Sequence, residues 1–186
     1  IPLRGLQKVI ATRMHESQQN AASVAVLGDL AVHDAAAWRE RITQGRPRRL
    51  TWTHLVLFVL SRALPQHPLL NSALIDEAIR VYSDVNIGLA ISQPSGLLVV
   101  PVIHKASDLT MDELAARADD LAAMARDNKL AVADMVKGTF SLSSYGTLTA
   151  ERWATSIINP PQSAILGVGR VEQRAVVRDG QVVPRW

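Results

Sequence analysis

The tightest constraint in this sequence is a pair of apolar runs, residues 85–91 and 97–103, separated by Gln93-Pro94-Ser95-Gly96. Proline presets φ for the first half of a tight reversal, and glycine reaches the left-handed region that closes it. The two runs therefore read as antiparallel strands of a hairpin. Asp179-Gly180 divides residues 174–183 in the same way. Hairpins of this kind exclude a sheet built only from strand–helix–strand crossovers.

Helical patterns flank these strands. Leu6, Val9, Ile10, Met14 and Ser17 recur at helical spacing, which predicts an amphipathic helix over residues 5–20. Asp34 reads as the N-cap of a helix running to about residue 42. Thr53 is expected to open a strongly apolar helix that ends near residue 64, because Pro65 and Pro68 follow. Thr110-Met111-Asp112-Glu113 fits a capping box and starts a helix reaching about residue 128. Residues 22–32, 78–82, 138–145 and 164–171 read as further strands. The expected fold is α/β: a two-layer sandwich in which helices pack on a mixed or antiparallel sheet. No internal repeat or linker divides the chain, so residues 1–186 read as one domain.

Composition narrows the chemistry. Apolar residues make up 48% and charged residues 20%, as in ordinary globular proteins. The absence of cysteine excludes disulfides, thiolate metal sites and a cysteine nucleophile. It is compatible with a cytoplasmic protein, which is the expectation, and no metal is expected. The longest apolar run, residues 55–60, is far short of a membrane span. The formal charge of +3 reads first as a mildly basic surface without a special partner, and second as suited to a polyanionic ligand such as a CoA thioester. Residues 46–49 are basic but contain a proline and read as a solvated loop, so nucleic acid is not expected as a partner.

Several segments, taken in order, carry a family resemblance. Ile1-Pro2-Leu3-Arg4-Gly5-Leu6 is followed by Ile10-Ala11-Thr12-Arg13-Met14-His15-Glu16-Ser17. Leu50-Thr51-Trp52-Thr53 and Pro68-Leu69-Leu70-Asn71 come next, then Asn86-Ile87-Gly88-Leu89-Ala90 and Gly96-Leu97-Leu98-Val99-Val100-Pro101-Val102-Ile103. Gly138-Thr139-Phe140-Ser141-Leu142-Ser143-Ser144-Tyr145-Gly146 precedes Ile157-Ile158-Asn159-Pro160-Pro161-Gln162 and Ala164-Ile165-Leu166-Gly167-Val168-Gly169. Together they resemble the catalytic domain of the dihydrolipoyl acyltransferases of 2-oxo acid dehydrogenase complexes. The resemblance implies a chloramphenicol acetyltransferase-like fold and a homotrimer, which can assemble further, with active sites between subunits. It implies an acyl-CoA donor as substrate and a lipoyl acceptor carried on another domain or protein.

The resemblance also implies roles for particular residues. Ser143 falls where the family places the serine whose hydroxyl meets the oxyanion. Arg13 falls where an arginine pairs with the aspartate of a His-x-x-x-Asp-Gly motif; its other reading is a solvated helix residue. Ser95, Gly96 and Leu97 are implied to line the substrate channel, or else form only a tight turn. Ser144 and Asn159 are further candidate substrate or CoA contacts, and Asn159 reads equally as a turn residue before Pro160-Pro161.

The chain departs from the family pattern in three places. Ser144 stands where the family often has asparagine. Residues 147–155, with the bulky Arg152 and Trp153, replace a glycine-rich stretch, which points to a changed acceptor. None of His15, His33, His54, His67 and His104 is followed by Asp-Gly at the required spacing, and Ala175 precedes Asp179-Gly180 where that histidine would stand. The expectation is a catalytic domain that is C-terminally incomplete, its base and final helix outside residues 1–186, with no lipoyl or subunit-binding domain before Ile1. Three functions fit: acyl transfer to a lipoyl thiol, O-acetylation of a small hydroxylated metabolite, or a scaffold without catalysis. The catalytic readings expect a native gene product heavier than 20.3 kDa, the added mass mapping beyond Trp186. Intact-mass spectrometry with peptide mapping checks this, and a mass of 20.3 kDa favours the scaffold.

Overall fold

The computed structural model describes residues 2–46, 48–146 and 154–186, and within them not the side chain of Leu6. Ile1, Arg152, Trp153 and most of the altered 147–155 stretch therefore lie outside the described residues. The helices are α1 (Gly5–Asn20), α2 (His33–Thr43), α3 (Trp52–Ala63) and α4 (Met111–Arg126). The strands are β1 (Ser72–Ile75), β2 (Ala78–Val81), β3 (Ile87–Ser92), β4 (Leu98–Val99), β5 (Val102–Ile103), β6 (Phe140–Ser144), β7 (Ile165–Val168), β8 (Arg174–Arg178) and β9 (Gln181–Arg185).

The expected mixed sheet is present. Its strands run in the order β4-β3-β6-β7, with β5 also on β3. β3 is antiparallel to β4 and β5, whereas β3, β6 and β7 are mutually parallel. The Gln93–Leu97 reversal closes as predicted, with the Gln93 N–H donating to the Leu97 carbonyl at 2.8 Å and Gly96 at φ +81°. The single strand expected over residues 97–103 is instead two short ones. Pro101 lies between them and has no N–H for the ladder.

α3 and α4 cover one face of this sheet. Leu57 and Leu64 from the α3 side and Leu114, Ala118, Leu121 and Ala125 from α4 meet Ile87, Leu89, Ile91, Phe140 and Leu142 in one buried cluster. Alternation along β3 and β6 explains why these strand residues point inward together. Alanine at positions 115, 118 and 125 brings α4 close to the sheet. Arg62 donates to the carbonyls of Ser107 and of Leu109, the latter at 2.6 Å, tying the end of α3 to the loop before α4.

Several expectations need correction. Residues 22–32 form no strand. Val24, Val26 and Leu30 are 88%, 91% and 86% exposed, and a strand without a ladder partner gains nothing from its β-propensity. This segment is held near its end, where the Val32 N–H donates to the Trp186 carbonyl at 2.9 Å and Asp29 pairs with Arg174 at 2.8 Å. α2 begins at His33, one residue before the expected cap, so Asp34 sits in the first turn, facing the positive end of the helix dipole. Thr51, not Thr53, caps α3. The β1–β2 hairpin had no Asn-Gly or Asp-Gly signal; Asp76 and Glu77 reach φ +49° and +61° to make its turn. Of the described side chains in the α1 stripe, Val9 is 48% exposed and Ile10 and Met14 are half-buried, none of them in the core cluster, and the helix is anchored by buried Ser17, whose hydroxyl donates to the Ile158 carbonyl at 2.7 Å.

Leu142 is fully buried at the centre of the cluster. Leu142→Ala should lower stability by about 2–5 kcal/mol, because the close-packed surroundings collapse only partly into the space left. Urea unfolding followed by circular dichroism measures the change.

Candidate active site

β3, β6 and β7 all end at one edge of the sheet, and that edge is where ligands bind in open sheets with parallel strands. Ser143 lies there, half-buried, paired with Ala90 on β3 and Gly167 on β7. Its side chain and that of Ser141 point away from α3 and α4, since Leu142 between them packs into the helix-covered core. On this face the Tyr145 ring packs over Gly167, the cross-strand partner of Ser143, where a Cβ would lie 3.1 Å from it, and Val100 covers Gly88. Gly88 stands level with Ser141, whose hydroxyl donates to Gln162 Oε1 at 2.6 Å.

Immediately beyond, Tyr145 and Gly146 donate their backbone N–H groups to the Val168 carbonyl at 3.1 and 3.3 Å. Gly146 is required by closeness: a Cβ placed on it would lie 2.2 Å from the Gly169 carbonyl oxygen. The glycine noted in the motif thus lets β6 and the end of β7 approach beside Ser143.

On the helix side, Ser144 accepts a hydrogen bond from Thr53 Oγ1 at 3.0 Å. The start of α3 that supplies Thr53 is rigidly built. Thr51 Oγ1 accepts from the His54 N–H at 3.2 Å, and the Thr51 N–H donates to His54 Nδ1 at 3.3 Å. Nδ1 therefore carries no proton, and Nε2–H donates to Asp119 Oδ1 at 3.1 Å. Asp119 also pairs with Arg48. Burial depresses the His54 pKa below its ordinary 6.5 despite the opposing attraction of Asp119, and the Arg48 charge adds to the depression. With both ring nitrogens engaged, His54 has none free to serve as a base.

Trp52, next to Thr53, walls a cavity of about 240 Å³ together with His33, Ala36, Arg39, Glu40 and Trp186. The Arg39 guanidinium lies 4.7 Å from the centroid of the Trp52 ring. Sequence reading missed this cavity, because Arg39, Trp52 and Trp186 come from three separated segments. It missed Asp119 as the partner of His54 for the same reason.

The other expected residues are placed as follows. Ser95, Gly96 and Leu97 form the β3–β4 turn at the same sheet edge as Ser143, with the Ser95 hydroxyl accepting from the Leu97 N–H at 3.5 Å. Asn159 lies in the turn before β7, where its carbonyl accepts from the N–H of Gln162, the residue whose side chain binds Ser141, at 3.0 Å. Arg13 is exposed on α1, and no described residue forms an ion pair with it.

Over residues 1–186 the chain matches the family model described as 2-oxoacid dehydrogenases acyltransferase (catalytic domain), and it belongs to that family. It is 33% identical over 186 residues to the dihydrolipoyllysine-residue acetyltransferase component of the pyruvate dehydrogenase complex of Bacillus subtilis, covering 97% of this chain and 42% of that protein. The chain spans less than half the length of the curated relatives it matches. Its fold is similar to that of a probable dihydrolipoamide acetyltransferase from Listeria monocytogenes, with a TM-score of 0.92 and 31% identity, covering 100% of this chain and 80% of that one. It is also similar to the dihydrolipoamide acetyltransferase of Azotobacter vinelandii, studied for the roles of a serine, a histidine and an asparagine in its catalytic mechanism. There the TM-score is 0.89 and the identity 31%, over 100% of this chain and 77% of that one.

Two predictions follow from this geometry. Gly146→Ala should cost about 1–3 kcal/mol, because the new methyl meets backbone rather than a yielding side chain; thermal unfolding reads it. The folded state disfavours the His54 cation, so it binds fewer protons than the unfolded chain as pH falls below 6.5. Stability should be fully present above pH 6.5 and decline as pH drops through the folded-state pKa. His54→Gln should flatten that part of a stability–pH profile obtained by urea titration.

Proposed function

We propose that this chain supplies the catalytic domain of a CoA-dependent acyltransferase that moves an acyl group between acyl-CoA and a dihydrolipoyl thiol. The observation that carries the reading is Ser143, half-buried at the carboxyl edge of β3, β6 and β7 in a domain matched to the acyltransferase family along its whole length. In the reaction the attacking thiol loses its proton to a base and its sulfur bonds to the thioester carbonyl carbon. The Ser143 hydroxyl donates to the oxyanion that forms. Collapse of the intermediate breaks the bond to the CoA sulfur, which takes up the proton.

The base is proposed to lie outside these 186 residues, since none of the five histidines has the His-x-x-x-Asp-Gly spacing and His54 is fully engaged. Arg13, exposed on α1, remains available to pair with the aspartate of such a motif. The cavity between Trp52 and Trp186 supports the CoA assignment. Its Trp52 and Trp186 rings suit an adenine ring, and Arg39 suits a phosphate. Ser95, Gly96 and Leu97, on the same sheet edge as Ser143, are proposed to border the substrate path, with Ser144 beside it. Exposed Val9 on α1 and the exposed Val24, Val26 and Leu30 of residues 22–32, a segment that joins no sheet, are proposed to be covered by further copies of this chain in a trimer.

Acyl transfer from acetyl-CoA to dihydrolipoamide, assayed with the native gene product, tests the reading. Ser143→Ala should lower kcat by about 10²–10³-fold, the usual effect of losing one oxyanion donor. Transfer only to small hydroxylated acceptors would count against the lipoyl assignment, and no transfer to any acceptor would count against catalysis.

A further inference from the structure

We infer that Thr53 is a positioning residue for Ser143, acting through Ser144; the inference rests on the acyl-transfer reading of Ser143. Along β6 the side chains of Phe140 and Leu142 enter the helix-covered core, and Ser144 follows them on the same face at the end of the strand. It is therefore a polar group arriving where α3 begins. Thr53 meets it with a hydrogen bond of 3.0 Å, a direct polar tie between α3 and the strand that carries Ser143.

Its precision comes from the way α3 is held. Thr51 and His54 close a reciprocal capping box, and His54 is locked in one tautomer by Asp119, itself paired with Arg48. Thr53 lies between the two box residues, so its hydroxyl projects from a backbone fixed on both sides. Ser144 is pinned from α3 on one side and by pairing with Val168 on the other. Its neighbour Ser143 then shares that fixed backbone, with Ala90 and Gly167 alongside. An oxyanion donor works only when it is aimed before the charge develops, and a small misplacement is costly. α3 is also held by its buried apolar residues, by the His54–Asp119 contact and by Arg62, so the Thr53 hydroxyl contributes little to holding the layers together.

The test uses the native gene product with Thr53→Val, Thr53→Ser, Ser144→Ala and the Thr53→Val/Ser144→Ala double variant. Thr53→Val should lower kcat about ten- to hundredfold with KM for acetyl-CoA and the melting temperature unchanged, and Thr53→Ser should restore it. The double variant should be no slower than the slower single one, because both remove the same bond. Amide exchange at Tyr145 and Gly146 gives a readout independent of turnover, expected to quicken in Thr53→Val and recover in Thr53→Ser. An unchanged kcat, a serine variant as impaired as the valine one, or additive losses would overturn the inference. If the wild-type protein transfers no acyl group, the proposed function fails, and with it the catalytic role of Thr53. Faster exchange in Thr53→Val would then show the tie to β6 standing as a structural link alone, whereas unchanged exchange would remove that as well.

Discussion

The candidate site depends on one constraint: β6 is held between two parallel neighbours while its two faces meet different surroundings. Parallel pairing fixes Ser141 opposite Gly88 and Ser143 opposite Ala90, with Ile165 and Gly167 on the other side. A slip of one residue would turn Leu142 out of the core and Ser143 into it. Burial of Phe140 and Leu142 beneath α3 and α4 is what forbids the slip. The hydrophobic layer thus sets the direction of a polar side chain on the opposite face.

Polar contacts complete what the apolar layer begins. Ser141 reaches Gln162 and Ser144 reaches Thr53, so the first and last serines of β6 are spent on opposite sides of the sheet. Buried polar groups must find partners or cost stability, and here each partner comes from an element that frames the site. Gln162 belongs to the turn before β7, and Thr53 to the capped start of α3. Ser143, between them, is the serine left to face a ligand.

Legibility in the sequence followed the range of the interactions. The capping box at Thr110 and Glu113 was readable because its hydrogen bonds span three residues. The reversals at Gln93–Gly96 and Asp179-Gly180 were readable because glycine and proline act on their own dihedrals. The β1–β2 turn was hidden because Glu77 adopts positive φ after Asp76, where the usual hairpin signal has glycine. Residues 22–32, rich in Val and Ala, misled because Val advertises a strand whether or not a ladder partner is nearby. Ser143 was reached through the resemblance of its motif, not through spacing. The Trp52 cavity and the His54–Asp119 contact, which joins residues 65 apart, left no local trace.

The sequence by itself determined the helices, the reversals at Gln93–Gly96 and Asp179-Gly180 and the alternation that sends Leu142 inward and Ser143 outward, because each follows from a residue's own dihedral preferences and the period of the chain. Tertiary structure alone decided that β6 would pair in parallel with both β3 and β7, that Gly146 would pass against Gly169, and that Thr53 would meet Ser144. Those contacts join positions far apart in the chain, so no local dihedral preference or periodicity specifies them.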